Sequence, residues 1–131
     1  VGTGTGILGM AAVLFGATQV MGVDNDGEAV RIASINVERN NLQQHISVSN
    51  TPLDHINQQF EIVVANILHK ILWGMAAGLE RVTAQNGTLI LSGLLHGEQT
   101  TNIIARFTSQ GFRLSQEERE KEWIALRFTK G

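Results

Sequence analysis

The sequence predicts an α/β fold in which a mostly parallel sheet is joined by crossover helices and finished by an antiparallel hairpin. Three observations carry this prediction. Short apolar, β-branched runs alternate with longer segments whose apolar residues recur at three- and four-residue spacing, as a strand–helix alternation requires. The chain opens on three glycines, Gly2, Gly4 and Gly6, directly ahead of an apolar run. Two late runs rich in apolar residues flank a charged turn, which is the pattern of a hairpin.

Each element has its own signal. Residues 7–15 are apolar nearly all round, which predicts a helix buried against a sheet. Gly16 stops it. Residues 19–24 read as a short buried strand ending in an acid, Asp24. Asp26 is placed to cap a helix carrying Ala29, Val30, Ile32, Ala33, Ile35 and Val37, with Asn40 and Asn41 at its end. Residues 45–48 form a short strand and residues 49–52 a loop. Residues 60–66 are the clearest strand, β-branched at the centre and ending in Asn66. Residues 67–82 predict an amphipathic helix, Asn86-Gly87 a turn, and residues 88–92 a buried strand closed by Gly93. Residues 98–109 predict a helix whose inner face carries Ile103, Ile104 and Phe107. A strand starts at residues 111–114, the charged residues 117–122 form a solvated turn, and residues 123–128 return with Trp123 in the hairpin core.

A length of 131 residues suits one domain with one hydrophobic core. Hydrophobic residues at 43% and charged residues at 17% fit an ordered globular chain. The formal net charge of −2 supplies no general basic field, so direct nucleic-acid binding is not expected. There is no cysteine, which excludes disulfides, thiolate nucleophiles and cysteine metal sites. No apolar run reaches the roughly 18 residues of a membrane span. No signal peptide is visible, and a cytoplasmic location is expected.

In an open α/β sheet, ligands bind outside the carboxyl ends of the strands. Three features fall there: the glycine loop, Asp24 and Asn66. Gly2, Thr3, Gly4 and Gly6 form a cradle in which the backbone can approach a ligand closely, at the positive end of the following helix. Asp24 can accept two hydrogen bonds from a ribose diol, since Asp26 is the better helix cap; Asn25 then lies beside the purine. Asn66 offers an amide donor and a carbonyl acceptor at a reacting group, or caps the helix that follows it. Gly4-Thr5-Gly6-Ile7-Leu8-Gly9 also matches the dinucleotide pattern, with Asp24 about 20 residues on as that pattern requires, so a nicotinamide-dependent oxidoreductase is the alternative. An inactive module that only binds cofactor is a third reading. The four histidines, at positions 45, 55, 69 and 96, show no ligand spacing, so no metal is expected. His69 and His96 each follow a strand end, and both are expected to face solvent.

The ordered set Val1-Gly2-Thr3-Gly4-Thr5-Gly6-Ile7-Leu8, Gly22-Val23-Asp24-Asn25-Asp26, Val63-Val64-Ala65-Asn66-Ile67-Leu68, Leu91-Ser92-Gly93 and Trp123-Ile124-Ala125-Leu126 resembles the catalytic domain of the PrmA family. Those enzymes methylate ribosomal protein L-eleven with S-adenosylmethionine. The resemblance covers essentially the whole chain. It implies a Rossmann-like class I methyltransferase fold, a protein N-methyltransferase acting on lysine or N-terminal amino groups, and a ribosomal protein as substrate. It places Gly2 and its glycine neighbours beside the methionine part of the cofactor and Asp24 on the ribose hydroxyls. Asn66 falls near the transferred methyl and the substrate amine. The family's first strand with its acid, a Gly/Thr/His-rich loop and a separate N-terminal domain would all precede Val1. The chain is therefore expected to be the N-terminally truncated catalytic domain. His69-Lys70-Ile71-Leu72 stands where the family commonly has a small residue and a Pro-Leu pair.

Overall fold

Three left-handed glycines turn the opening loop into a helix. In the computed structural model, which describes residues 1–131, Gly2, Gly4 and Gly6 have φ of 69°, 54° and 86°. A side chain would be strained at each of these positions. The chain divides into two units, Val1–His55 and Ile56–Gly131.

The first unit holds helix α1 (Ile7–Leu14), strand β1 (Val20–Val23), helix α2 (Gly27–Arg39) and strand β2 (Ile46–Ser49). β1 and β2 pair in parallel, from Val20 opposite Ile46 to Val23 opposite Ser49. Asp26 caps α2 as expected, its carboxylate accepting the Glu28 N–H at 3.0 Å. Ala33 and Val37 are the buried side chains of that helix. α1 departs from expectation, because none of its residues is fully buried. Leu14 is 78% exposed and Phe15, just beyond the helix, 92%. The reason is geometric: two strands about 4.8 Å apart make a face about one helix wide. A helix apolar all round cannot be covered by so small a sheet within its own unit.

The second unit holds strand β3 (Phe60–Asn66), helix α3 (His69–Val82), strand β4 (Thr83–Leu95), helix α4 (Glu98–Thr108), and strands β5 (Phe112–Glu120) and β6 (Trp123–Lys130). Its sheet has the order β3-β4-β6-β5. β3 runs parallel to β4, while β6 inserts antiparallel between β4 and β5. The returning strand of the hairpin thus joins the sheet in place of its sequence neighbour.

The core of this unit is continuous. Leu72, Ala76 and Leu79 of α3, Leu89 and Leu91 of β4, Ile103 and Phe107 of α4, and Leu126 and Phe128 of β6 are all fully buried. Phe107, Phe112 and Phe128 pack with ring centroids 5.7–6.1 Å apart, a favourable aromatic spacing. Two of the polar side chains inside are anchored on backbone carbonyls. The buried Thr83 hydroxyl donates to the Leu79 carbonyl at 2.7 Å. The Lys130 ammonium donates to the carbonyls of Glu80 and Thr83 at 2.8 and 2.9 Å, placing a cation at the negative end of α3.

Two hairpin expectations are corrected. The glutamates at 117, 118 and 120 belong to β5, paired with Leu126, Ala125 and Trp123 by backbone register. Only Lys121 and Glu122 form the turn, with Lys121 left-handed at φ 56°. Trp123 is exposed, because alternation along β6 sends Ile124, Leu126 and Phe128 inward and leaves 123 on the other face.

Candidate functional site

The glycine loop in the first unit is held from two sides. The Thr3 N–H donates to the Val23 carbonyl at 3.0 Å, fastening the loop to the end of β1. A Cβ on Gly22 would sit 2.9 Å from Thr3 Oγ1, so a side chain at 22 would force the threonine to shift. From the other side, Asn36 of α2 donates its Nδ2 to the Thr5 carbonyl at 2.9 Å. Gly6 is buried, and a Cβ there would meet the Ala33 side chain at 3.3 Å. Gly4 differs from these. A Cβ there would meet nothing within 4 Å, so its backbone borders open space.

Asp24 joins this loop to β1. Its Oδ2 accepts the Gly4 N–H at 3.0 Å, and its Oδ1 accepts the Asp26 N–H at 3.1 Å. Sequence reasoning left Asp24 free once Asp26 was assigned as the cap. The cap is correct, yet Asp24 itself receives two backbone donors. A carboxylate has about four acceptor positions, so two remain for other donors. Asn25 is exposed beside it.

Asn66 lies in the second unit, the last residue of β3. It is exposed and stands opposite Ser92 in the parallel register with β4. It is not the cap of α3. That position is Leu68, extended at φ −61° and ψ 143°, and it makes no side-chain cap bond. Ile67 and Leu68 therefore connect the strand to the helix instead of opening the helix, and the Asn66 amide is spared from capping. β4 bulges immediately beyond Ser92: Leu91 pairs with Leu126 and Leu94 with Ile124, so β4 carries one residue more than β6 over this interval. Gly93 sits in that bulge at φ 80°.

The two histidines separate. His96 is exposed, with its N–H donated to the Glu122 carbonyl at 2.8 Å. His69 is half-buried, contrary to expectation. Its ring lies 6.4 Å from Trp73, and its Nε2 is enclosed without a hydrogen-bond partner. Trp73 also receives the Arg106 guanidinium at 5.4 Å from its ring centre, a cation–π contact between α3 and α4.

Sequence reasoning missed Asn36. Its signal was present, since Asn36 shares the apolar stripe of Ala33 and Val37 at three- and four-residue spacing. A polar residue there needs a partner, and the Thr5 carbonyl is that partner. Sequence reasoning also missed that a Cβ on Gly93 would lie 2.9 Å from Asn66 Oδ1, a proximity that depends on a bulge no local pattern announces.

A glycine loop anchored on an acid after β1, with a terminal hairpin strand inserted antiparallel into the second sheet, belongs to the class I methyltransferase fold. Solved structures share it. The ribosomal protein L11 methylase of Lactobacillus delbrueckii subsp. bulgaricus aligns with a TM-score of 0.92 and 30% identity, over 98% of this chain and 67% of that one. Magnesium protoporphyrin IX methyltransferase of Synechocystis, solved with bound SAM, aligns with a TM-score of 0.81 at 16% identity, over 99% of this chain and 67% of that one, a likeness of fold.

The family model for ribosomal protein L11 methyltransferase (PrmA) matches residues 1–131, and the chain belongs to that family. A ribosomal protein L11 methyltransferase of Desulfotalea psychrophila is 45% identical over 96% of this chain and 42% of its own length. That of Geobacter metallireducens is 44% identical over 100% of this chain and 43% of its own length. The chain thus spans about two fifths of the length of these curated relatives. Family membership decides against the nicotinamide oxidoreductase suggested by the overlapping glycine pattern. No helix is long and apolar enough to cross a membrane.

Proposed function

We propose that residues 1–131 are part of one catalytic domain of an S-adenosylmethionine-dependent methyltransferase acting on lysine or N-terminal amino groups of a ribosomal protein. The observation that carries this reading is the unbroken family match over residues 1–131. The open backbone at Gly4 beside the Asp24 carboxylate fits the cofactor, because it offers a ligand a close main-chain approach and two remaining acceptor positions. S-adenosylmethionine supplies an electrophilic methyl group for direct displacement by a neutral amine.

In this reading Gly2, Thr3, Gly4 and Gly6 border the methionine part of the cofactor, Asp24 accepts from the ribose hydroxyls, and Asn25 flanks the purine. Asn66 faces the methyl and the substrate amine. Its Oδ1 can accept one amine N–H and so aim the nitrogen lone pair, but an amide has no basic site for the proton. Catalysis then rests on alignment, for which orientation alone is worth several orders of magnitude. The amine must arrive neutral or lose its proton to solvent.

The test is Asn66→Ala in the full-length protein. Turnover is expected to fall by about 100-fold, while binding of S-adenosylhomocysteine, measured by calorimetry, changes by less than about threefold. Equal loss of both would overturn the role of Asn66. Calorimetry with NAD in place of S-adenosylhomocysteine is expected to give no heat of binding.

A further inference from the structure

We infer that Gly93 is a positioning residue for the Asn66 carboxamide, and that the bulge in β4 exists at this point to bring a side-chain-free backbone against it. The inference rests on the proposed catalytic role of Asn66. A Cβ built on Gly93 would lie 2.9 Å from Asn66 Oδ1, well inside van der Waals contact. Its next neighbours, the carbonyl oxygen and the nitrogen of Ile67, are at 3.5 and 3.8 Å, which is ordinary contact. The Asn66 amide oxygen therefore occupies the space a side chain at 93 would take. No other group stands in the way.

The backbone supports this arrangement in two ways. Asn66 pairs with Ser92, so Gly93, the residue after Ser92, lies level with the end of β3. The extra residue between Leu91 and Leu94 then swings Gly93 out of the regular ladder into left-handed backbone at φ 80°. That conformation disfavours any residue with a Cβ. Glycine is thus selected twice at position 93, once by the backbone and once by the amide it faces. The sequence segments carrying Asn66 and Gly93 act as one unit although the two positions are 27 apart in the chain (93 − 66).

The contact distinguishes a positioning role from a purely structural one. Asn66 is exposed and its amide is the far end of a rotatable side chain. An added Cβ is relieved most easily by turning that amide away. Gly93→Ala is then expected to move the Asn66 oxygen while the buried residues on either side, Leu91 and Leu94, keep their places.

The experiment is a double-mutant cycle in the full-length protein with its ribosomal-protein substrate, using Gly93→Ala, Asn66→Ala and the pair. Gly93→Ala is expected to lower kcat by about 100-fold, the scale of an approximately 1 Å misplacement, with the Kd for S-adenosylhomocysteine held within about threefold. The double variant is expected to be no slower than Asn66→Ala alone. Melting provides the second arm, informative even where Gly93→Ala is too unstable to assay. Gly93→Ala is expected to lower Tm less in the Asn66→Ala background than with Asn66 present, because no amide then has to be displaced from its rotamer and only the backbone strain remains. Multiplying kcat losses, or an equal Tm loss in both backgrounds, would overturn the inference. If Asn66→Ala alone leaves kcat unchanged, the catalytic reading fails, whereas the Tm coupling still reports whether Gly93 and Asn66 share the space.

Discussion

At the scale of single residues, Asp24 does two tasks with one carboxylate. It holds the glycine loop through the Gly4 N–H and fixes the turn into α2 through the Asp26 N–H. This makes a structural prediction separable from any ligand. Asp24→Ala strands both donors, and the Gly4 bond is partly buried. Leaving such a donor unmade costs about 1–3 kcal/mol. Urea unfolding is expected to show a loss in that range without any ligand present. Asp24→Asn is expected to do nearly as badly, because its NH2 must face one of the two backbone donors. A carboxylate serving only a ligand would leave ligand-free stability unchanged in both variants.

At the scale of elements, helix ends carry much of the specificity. The N-terminus of α2 is closed by Asp26, and the C-terminus of α3 by Lys130, whose ammonium meets the Glu80 and Thr83 carbonyls and also the Glu80 carboxylate at 2.7 Å. Lys130 is largely buried, with 12% of its side chain exposed, so solvent can replace these bonds only by opening the packing. Lys130→Met is expected to destabilise the protein by about 1–3 kcal/mol, whereas Glu80→Gln, which leaves the carbonyl contacts intact, is expected to change it by less than about 1 kcal/mol. Chemical denaturation of the two variants checks the ranking. The Asp26 cap was legible in the sequence because capping is local, an acid ahead of a periodic apolar run. The Lys130 cap was not, because it links positions 50 and 47 residues apart. β5 shows the same limit. Its glutamates read as a solvated turn, and only the register with β6 makes them a strand, since strand identity depends on neighbours more than on composition. The start of α3 was misplaced because apolar Ile67 and Leu68 continue the helical pattern that the strand end overrides.

At the scale of the whole molecule, Asp24 directly follows β1 and Asn66 ends β3, as the sequence placed them, whereas the glycine loop follows no strand among the elements of this chain. The glycine loop and Asp24 belong to the first unit, Asn66 and Gly93 to the second. α1 is the exception in packing, not in place: its boundaries were legible from Gly6 and Gly16, but its burial was not, because periodicity reports apolar faces and not the area available to cover them. The loop that opens onto solvent at Gly4 is held by Thr3, Asp24 and Asn36, and its native shape disappears when the chain unfolds. A ligand bound to that shape must therefore stabilise the whole folded state by linkage, about 2.7 kcal/mol at a hundredfold excess over Kd. In the full-length protein, S-adenosylhomocysteine at that excess is expected to raise Tm by several degrees, and NAD at the same concentration is expected to leave it unchanged. Asn36→Ala removes the clamp on Thr5 without touching Asp24, so the ligand-induced shift is expected to shrink while the shape and cooperativity of the melt are retained. A full shift in Asn36→Ala would show that α2 does not shape the loop for its ligand, and an equal shift with NAD would show that the loop does not discriminate between the two ligands.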